Sequence, residues 1–482
     1  MIYLDQTIDL YQSDFRQMIQ AFFPGERIVL YPEGTNLTFG AEFSDRVRLS
    51  IQEGTKSVCR EELCLEYQDR KRSRNQIKAA AYRLLSRYTG KELPWGSMTG
   101  VRPTKFATAR MEAGWSDEDV IREYETVYLT TRQKGEICCR VARREQQLLK
   151  PFQYDEEYCL YIGIPFCPSR CLYCSFASYP ADSYGDRMED YLKALKKELC
   201  YVADVYREKR LTAVYMGGGT PTALSAGMLQ ELIGEVYRIF DTTSVREFTV
   251  EAGRPDSLNE EKLAVMKRFP VSRISINPQT MRDETLRYIG RNHTAQMTVD
   301  AYNMAREYGF DNINMDIIAG LPTESQEVFE DTLHAIEDLK PDSLTVHSLA
   351  VKRSARLNIE RKKYQDSITG STDEMLNAAD MTAKALGMEP YYLYRQKNMA
   401  GNFENVGYAK EGKAGIYNIL IMEEVQSILA LGAGASTKFV YGDGRIERVE
   451  NVKDIRSYLE RLDEMIERKR RALEEYKGVT KQ

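Results

Sequence analysis

No stretch of this 482-residue chain is both long and apolar enough to cross a bilayer, and its start, MIYLDQTIDLYQSDF, lacks a basic flank followed by an apolar run. Neither a transmembrane segment nor a secretory leader is therefore expected. Positive charge is not in excess: 67 Lys and Arg face 72 Asp and Glu, a formal charge of −5, so nothing global favours nucleic acid. The cysteines, at 59, 64, 138, 139, 159, 167, 171, 174 and 200, lack the regular spacing of a secreted disulfide framework. Together these absences predict a protein of the reducing cytoplasm. The length suffices for a large core and more than one domain.

What the chain does have is a cysteine cluster. Cys167, Cys171 and Cys174 lie in YIGIPFCPSRCLYCSF. Three close thiolates satisfy three corners of a four-iron cluster and leave one iron open to a small molecule, whereas a simple electron carrier normally uses four. Offsets of four and seven residues also share a helical face, but Pro165, Pro168 and Gly163 oppose a continuous helix here. Zinc completed by a distant histidine is the other rival on spacing alone. Cys59, Cys64, Cys200 and Cys159 read as packing residues.

Residues 1–58 alternate strands (MIYLD, RIVLYP, LTFGAEF, RVRLSIQE) with a helix over 11–23, which predicts a small α/β domain. Residues 59–150 carry QIKAAAYRLLSRYTG, stopped by Gly90, and EICCRVARREQQLL, which read as a helical connector. In PWGSMTGVRPTK, a rigid turn could present Trp95, Arg102 and Lys105 outward to a carboxylate; an interdomain loop with Trp95 packed reads equally well.

From 161 onward, strands and amphipathic helices alternate: YIGIPF, helix 188–210, LTAVYMGGG, helix 226–240, REFTVEAG, helix 259–267, SRISINPQ, helix 294–308, NINMDIIAG, helix 326–338 and SLTVHSLA. This is the sequence form of parallel β/α units. Six strands predict an α/β fold with a partial (β/α)6 barrel over 151–380, followed by a C-terminal α/β and helical cover over 381–482. Functional groups in such folds gather beyond the carboxyl ends of strands. The thiol loop follows the first strand, Gly217-Gly218-Gly219-Thr220-Pro221 the second, Glu251 the third and Gln279 the fourth, while Asp316 lies in the fifth. A glycine triplet lets backbone approach a charged ligand where a Cβ would block it, although it is also a common tight turn.

The cysteine motif closely resembles the signature of the radical S-adenosylmethionine (SAM) superfamily. Residues 161–436, with the downstream stretches VHSLAVKRSARL, YYLYRQKNMAGNFENVGYAK and LGAGASTKFV, are similar to the oxygen-independent coproporphyrinogen oxidase group, most closely its HemZ-type dehydrogenases. The resemblance implies one [4Fe-4S] cluster on Cys167, Cys171 and Cys174, one or two molecules of SAM, and a 5'-deoxyadenosyl radical made by reductive cleavage. It assigns the amino end of SAM to the backbone of Gly217, Gly218, Gly219 and Thr220. Tyr161, Phe176, Glu251, Gln279 and Asp316 are candidates for further cofactor contacts, with Phe176 shielding the cluster, Glu251 accepting from the amino group and Asp316 from a ribose hydroxyl or the base; aromatic packing and strand-end capping are their other readings.

The implied reaction removes a hydrogen from the β-carbon of a coproporphyrinogen III propionate. Loss of carbon dioxide and a further electron leaves a vinyl group, and repetition gives protoporphyrinogen IX. An anionic tetrapyrrole suits a pocket with several cations, for which Arg254, Arg291, Lys352, Arg353, Arg395 and Lys397 are candidates. His293, His347 and Tyr394 are candidate polar contacts, His293 reading more readily as a structural partner. An external low-potential donor such as flavodoxin or ferredoxin and a separate, unidentified electron acceptor are implied. Radical methylation or ring opening of another tetrapyrrole, and haem binding as in HemW-type chaperones, are the alternatives. The chain departs from the group's motif at Gly163, where a histidine is usual, and at Ser175-Phe176, where glycine-cysteine is usual.

Overall fold

The computed structural model describes residues 1–364, 367, 370–396 and 403–480. Strands β1 (Ile2–Gln6), β2 (Ile28–Val29), β3 (Leu37–Phe43), β4 (Val47–Glu53) and β5 (Lys56–Leu63) form one sheet in the order β2-β1-β3-β4-β5. Period-two burial of Val47, Leu49 and Ile51 turns one face of β4 onto helices Gln12–Phe22 and Arg70–Thr89. Asp69 caps the second helix by accepting from the Lys71 and Arg72 N–H groups, and Gly90, at φ 68°, ends it. The N-terminal core thus takes in Ile77, Leu84 and Leu85, well past residue 58, which itself falls inside β5. KSVCREEL does not read as a strand because it is a polar edge with no fully buried position.

The second sheet is built on β6 (Glu157–Ile164). Two short strands, β7 (Phe166–Cys167) and β8 (Tyr179–Pro180), pair beside the thiol loop. Then β9 (Arg210–Gly218), β10 (Glu247–Glu251), β11 (Arg273–Ser275), β12 (Ile313–Ala319) and β13 (Ser343–Ser348) follow β6 as successive parallel neighbours. Parallel neighbours require crossovers, and helices Gly185–Val205, Ala226–Ile239, Glu260–Arg268, Ala295–Glu307 and Gln326–Leu339 supply them. Ser225, Asn259, Thr294 and Ser325 cap the last four with their side-chain oxygens, which fixes where each helix leaves its loop.

Residues after 380 do not simply lie over this sheet but lengthen it at both edges. β14 (Glu389–Arg395) and β15 (Glu404–Ala409) add antiparallel beyond β13, while β16 (Ser427–Leu431) adds parallel to β6 and is followed by antiparallel β17 (Ser436–Val440) and β18 (Ile446–Glu450). Both outer strands of the β6–β13 set would otherwise expose unpaired backbone groups. The connector is tied to this extension: Lys134 Nζ lies 2.7 Å from both Glu404 and Asp373, and Trp95 Nε1 donates to Glu404 at 2.6 Å. Trp95 is fully buried and Arg102 donates to the Met422 carbonyl, so these two side chains face the protein, while Lys105 is exposed.

Candidate functional site

The thiol loop leaves β6 and is held from below by backbone. Leu172 N–H donates to the Ile289 carbonyl at 2.8 Å, and Ser169 Oγ to that of Gly290 at 2.8 Å. Arg254 holds it from the side: Nη1 donates to the Ser169 carbonyl at 3.2 Å and lies 3.7 Å from Cys171 Sγ, while Nη2 bonds Ser169 Oγ at 3.0 Å and pairs with Asp256 at 2.7 Å.

The glycine segment closes against the same loop. Gly219 N–H donates to the Ile164 carbonyl and Thr220 N–H to that of Phe166, both at 2.7 Å. A Cβ on Gly219 would stand 2.6 Å from the Phe166 carbonyl oxygen and 3.0 Å from Cys167 Sγ, so only glycine permits this approach. Thr220 Oγ1 lies 3.5 Å from Cys167 Sγ as a second donor to sulfur.

Cys167, Cys171 and Cys174 border one cavity of about 270 Å³ together with Gly218, Gly219, Thr220, Glu251, Gln279, Asp316, Phe176, Arg254, Arg291, His347, Lys352 and Tyr394. Among the described residues no three His, Cys, Asp or Glu side chains converge on a single-ion site. Burial pushes the Cys167 thiol up to about 11 and raises that of Cys174. Thiolates there need a compensating cation, which iron would supply. The donor set therefore fits an iron-sulfur cluster.

Two carboxylates face this space with their pKa values displaced in opposite directions. Burial pushes Glu251 up to about 7 although the Tyr215 hydroxyl donates to it. Burial also opposes ionisation of Asp316, but His347, with Nε2 3.7 Å away, and the Asn314 amide, at 2.6 Å, hold its carboxyl below the ordinary range. Gln279 sits at φ 70°, fixed by a bond from its N–H to the Asp316 carbonyl and one to its own carbonyl from Ile318 N–H. That left-handed backbone on a non-glycine residue is a strain held by the surrounding sheet.

Tyr161 is stacked with Tyr215 and Tyr417 beneath the glycine segment. Gly217 does not border the cavity, but a Cβ there would meet the Tyr215 ring at 2.8 Å and the Glu251 carboxyl at 3.0 Å; it makes room for the acid. His293 is buried near Asp256, and desolvation with Arg291 pushes it down to about 3, so it is neutral. Arg291 lines the cavity but donates to the carbonyls of Gly253 and Asn277. Arg395 is not a cavity group: strand alternation turns it away from Tyr394, to the carbonyl of Met98 at 2.6 Å and over the Trp95 ring at 4.8 Å. Arg353 is exposed outside the cavity, and Lys397 falls outside the described residues.

Asn277 is a site residue that pattern reading does not single out. Its Oδ1 accepts from the Asp316 N–H at 3.2 Å and from Ser275 Oγ at 2.6 Å, which locks two strand ends together under the cavity. Its position two residues before Gln279, at the end of an apolar strand, is the available signal. Gln396 and Asn405 also line the cavity.

Parallel strands ending in a loop of three thiols, with glycine and acidic residues at the neighbouring strand ends, define the class. The model of the Radical SAM superfamily matches residues 161–336, and the chain belongs to that superfamily. Within it the chain is a member of the HemZ family: the Bacillus subtilis protein named oxygen-independent coproporphyrinogen-III oxidase-like protein HemZ is 40% identical over 418 residues, 86% of this chain and 83% of that protein. The heme chaperone HemW of the same organism is 36% identical over 193 residues, 40% of this chain and 50% of the chaperone. The fold is shared with coproporphyrinogen III oxidase (HemN) from Escherichia coli, with a TM-score of 0.51 and 20% identity over 66% of this chain and 72% of that one.

Proposed function

We propose that this protein carries out the oxygen-independent oxidative decarboxylation of coproporphyrinogen III propionates to vinyl groups, giving protoporphyrinogen IX. The observation that carries this reading is the match to HemZ, which extends over 86% of the chain and so beyond the superfamily segment at 161–336. Heme chaperones HemW match over 40% to 62% of the chain, and the greater reach and identity of the HemZ match favour the HemZ-type reading over a haem chaperone. On this reading the six parallel strands form a partial (β/α)6 barrel, preceded by an N-terminal α/β unit and a helical connector.

Cys167, Cys171 and Cys174 would hold the [4Fe-4S] cluster, and Gly218, Gly219, Thr220, Glu251, Gln279 and Asp316 would hold SAM. When bound, that pair supplies the 5'-deoxyadenosyl radical. Arg254 and Thr220 present donors to two of the thiols and so hold the sulfurs in place. Glu251, poised near neutrality, would ionise on receiving an ammonium group, and ionised Asp316 accepts hydroxyl donors. Phe176 lines the cavity and would shield one side of the cluster. Lys352, His347 and Tyr394 also line the cavity and would orient propionates, since Arg254 and Arg291 direct donors to the protein itself. Misplacing the reacting hydrogen by about 1 Å costs on the order of a hundredfold in rate, so this wall sets turnover. An external one-electron donor and a separate acceptor complete the electron balance.

Anaerobic incubation of reconstituted protein with coproporphyrinogen III, SAM and reductant tests this reading. Protoporphyrinogen and 5'-deoxyadenosine are expected. SAM cleavage without decarboxylation rejects the assignment, and a product heavier by a methyl group replaces it with methylation.

A further inference from the structure

The segment after β13 carries a concentration of charge that the cavity does not use. Between Lys352 and Lys363 stand six cations, Lys352, Arg353, Arg356, Arg361, Lys362 and Lys363, against the single carboxylate of Glu360, in a chain whose formal charge is −5. Only Lys352 borders the cavity. The others are exposed and cannot reach a substrate inside it.

This segment is fastened to the thiol loop. Leu357 N–H donates to the Leu172 carbonyl at 2.9 Å, Ser354 Oγ to the Ser175 carbonyl at 3.1 Å, and Arg170 Nη2 to the Ser354 carbonyl at 3.3 Å. Lys352 Nζ stands 5.8 Å from the centre of the Phe176 ring. Two large apolar side chains remain in solvent here, Phe176 at 62% and Ile359 at 68% exposure. Apolar anchors among charged residues are the composition of a protein interface, and a surface of one sign steers a partner of the other. A partner seated here would lie against the loop that carries Cys171 and Cys174.

We propose that Phe176, Ile359 and the cations of residues 352–363 form the docking surface for the electron donor, a small acidic protein with a low-potential one-electron centre. The inference rests on the radical SAM reading, because only that chemistry requires an electron at the thiol loop. One electron passes from the reduced donor to the cluster, which in turn reduces the sulfonium of SAM, and the oxidised donor leaves. Such contacts are small and weak, and they depend on charge more than on area. Docking therefore weakens as salt is added.

The test uses reconstituted holoenzyme and reduced flavodoxin, comparing wild type with the double variant Arg353→Glu/Lys362→Glu and with Ile359→Ser. Binding is measured by titration at low ionic strength, and 5'-deoxyadenosine is followed with flavodoxin and separately with dithionite. The double variant is expected to bind flavodoxin at least about tenfold more weakly and to lose a similar factor in flavodoxin-driven rate, with its dithionite-driven rate within about twofold of wild type. Ile359→Ser, which leaves charge unchanged, is expected to weaken binding without removing its salt dependence. Equal binding by wild type and the double variant overturns the proposal, as does an equal loss of both rates. Self-association that disappears with the same substitutions while flavodoxin binding persists overturns it in favour of a second copy of the chain. Failure of the wild type to cleave SAM with dithionite would sink the functional reading instead, and the binding titration distinguishes the two.

Discussion

Arg254 places Nη1 3.7 Å from Cys171 Sγ while its other donors grip Ser169 and Asp256, so one buried guanidinium connects the third strand's exit to the thiol loop. Arg254→Ala removes the loop's side support and leaves Asp256 without its partner. A loss on the order of 3 kcal/mol in unfolding free energy is expected, with reduced iron retention after reconstitution. Arg254→Lys, which keeps the charge but not the fork, should recover part of the stability and less of the iron. Denaturant titration and iron analysis on the same samples check this; unchanged iron in Arg254→Ala would remove the residue from the site.

Gly219→Ala tests the close approach between the glycine segment and the loop. The added carbon meets a carbonyl oxygen and Cys167 Sγ inside normal contact distance, and backbone does not give way cheaply. A cost of about 1–3 kcal/mol and poor cluster assembly are expected. Gly442→Ala, which adds a carbon to open space, is the control and should change stability by less than about 0.5 kcal/mol.

Glu251 gives the ligand-free protein a distinctive pH dependence. Its folded value of about 7 lies above the 4.5 of an unfolded glutamate, so the native state holds the extra proton between those values. Its contribution is fully present below about 4.5, declines as pH rises, and is lost above about 7, by on the order of 3 kcal/mol at most. Glu251→Gln should flatten that slope. Wild type and variant melting curves measured from pH 5 to 8 decide it, and parallel profiles would contradict the assignment.

Lys134 is 3% exposed between Glu404 and Asp373, and it ties the helical connector to β15. Lys134→Met removes the cation from Glu404, which keeps its bond from Trp95, and from partly exposed Asp373. A loss of about 3–5 kcal/mol is expected in urea unfolding, more than a surface lysine would give.

The repeating β/α order was legible because each crossover helix carries its own 3.6-residue pattern, four of the five behind a capping residue, and each central strand is an apolar run. The thiol loop, Gly219, Glu251 and Asp316 were legible because strand ends are where such a fold places its chemistry. Pairing of β16 with β6 was not, since Leu429 and Leu160 meet across a long separation that no local pattern records. Arg395 was misread for a related reason. A cation beside aromatic residues looks like a ligand contact, but its direction depends on which face of β14 the edge of β15 presents, and that face packs on Trp95.

The central claim is that radical formation at the thiol loop is spent on decarboxylation of a coproporphyrinogen propionate. Counting 5'-deoxyadenosine and carbon dioxide in one anaerobic reaction, with wild type and Cys174→Ala, tests it most directly. The account predicts that both products rise in proportion with wild type and that neither forms with the variant. Either product formed by the variant at the wild-type rate, or 5'-deoxyadenosine from wild type with no carbon dioxide, would contradict it.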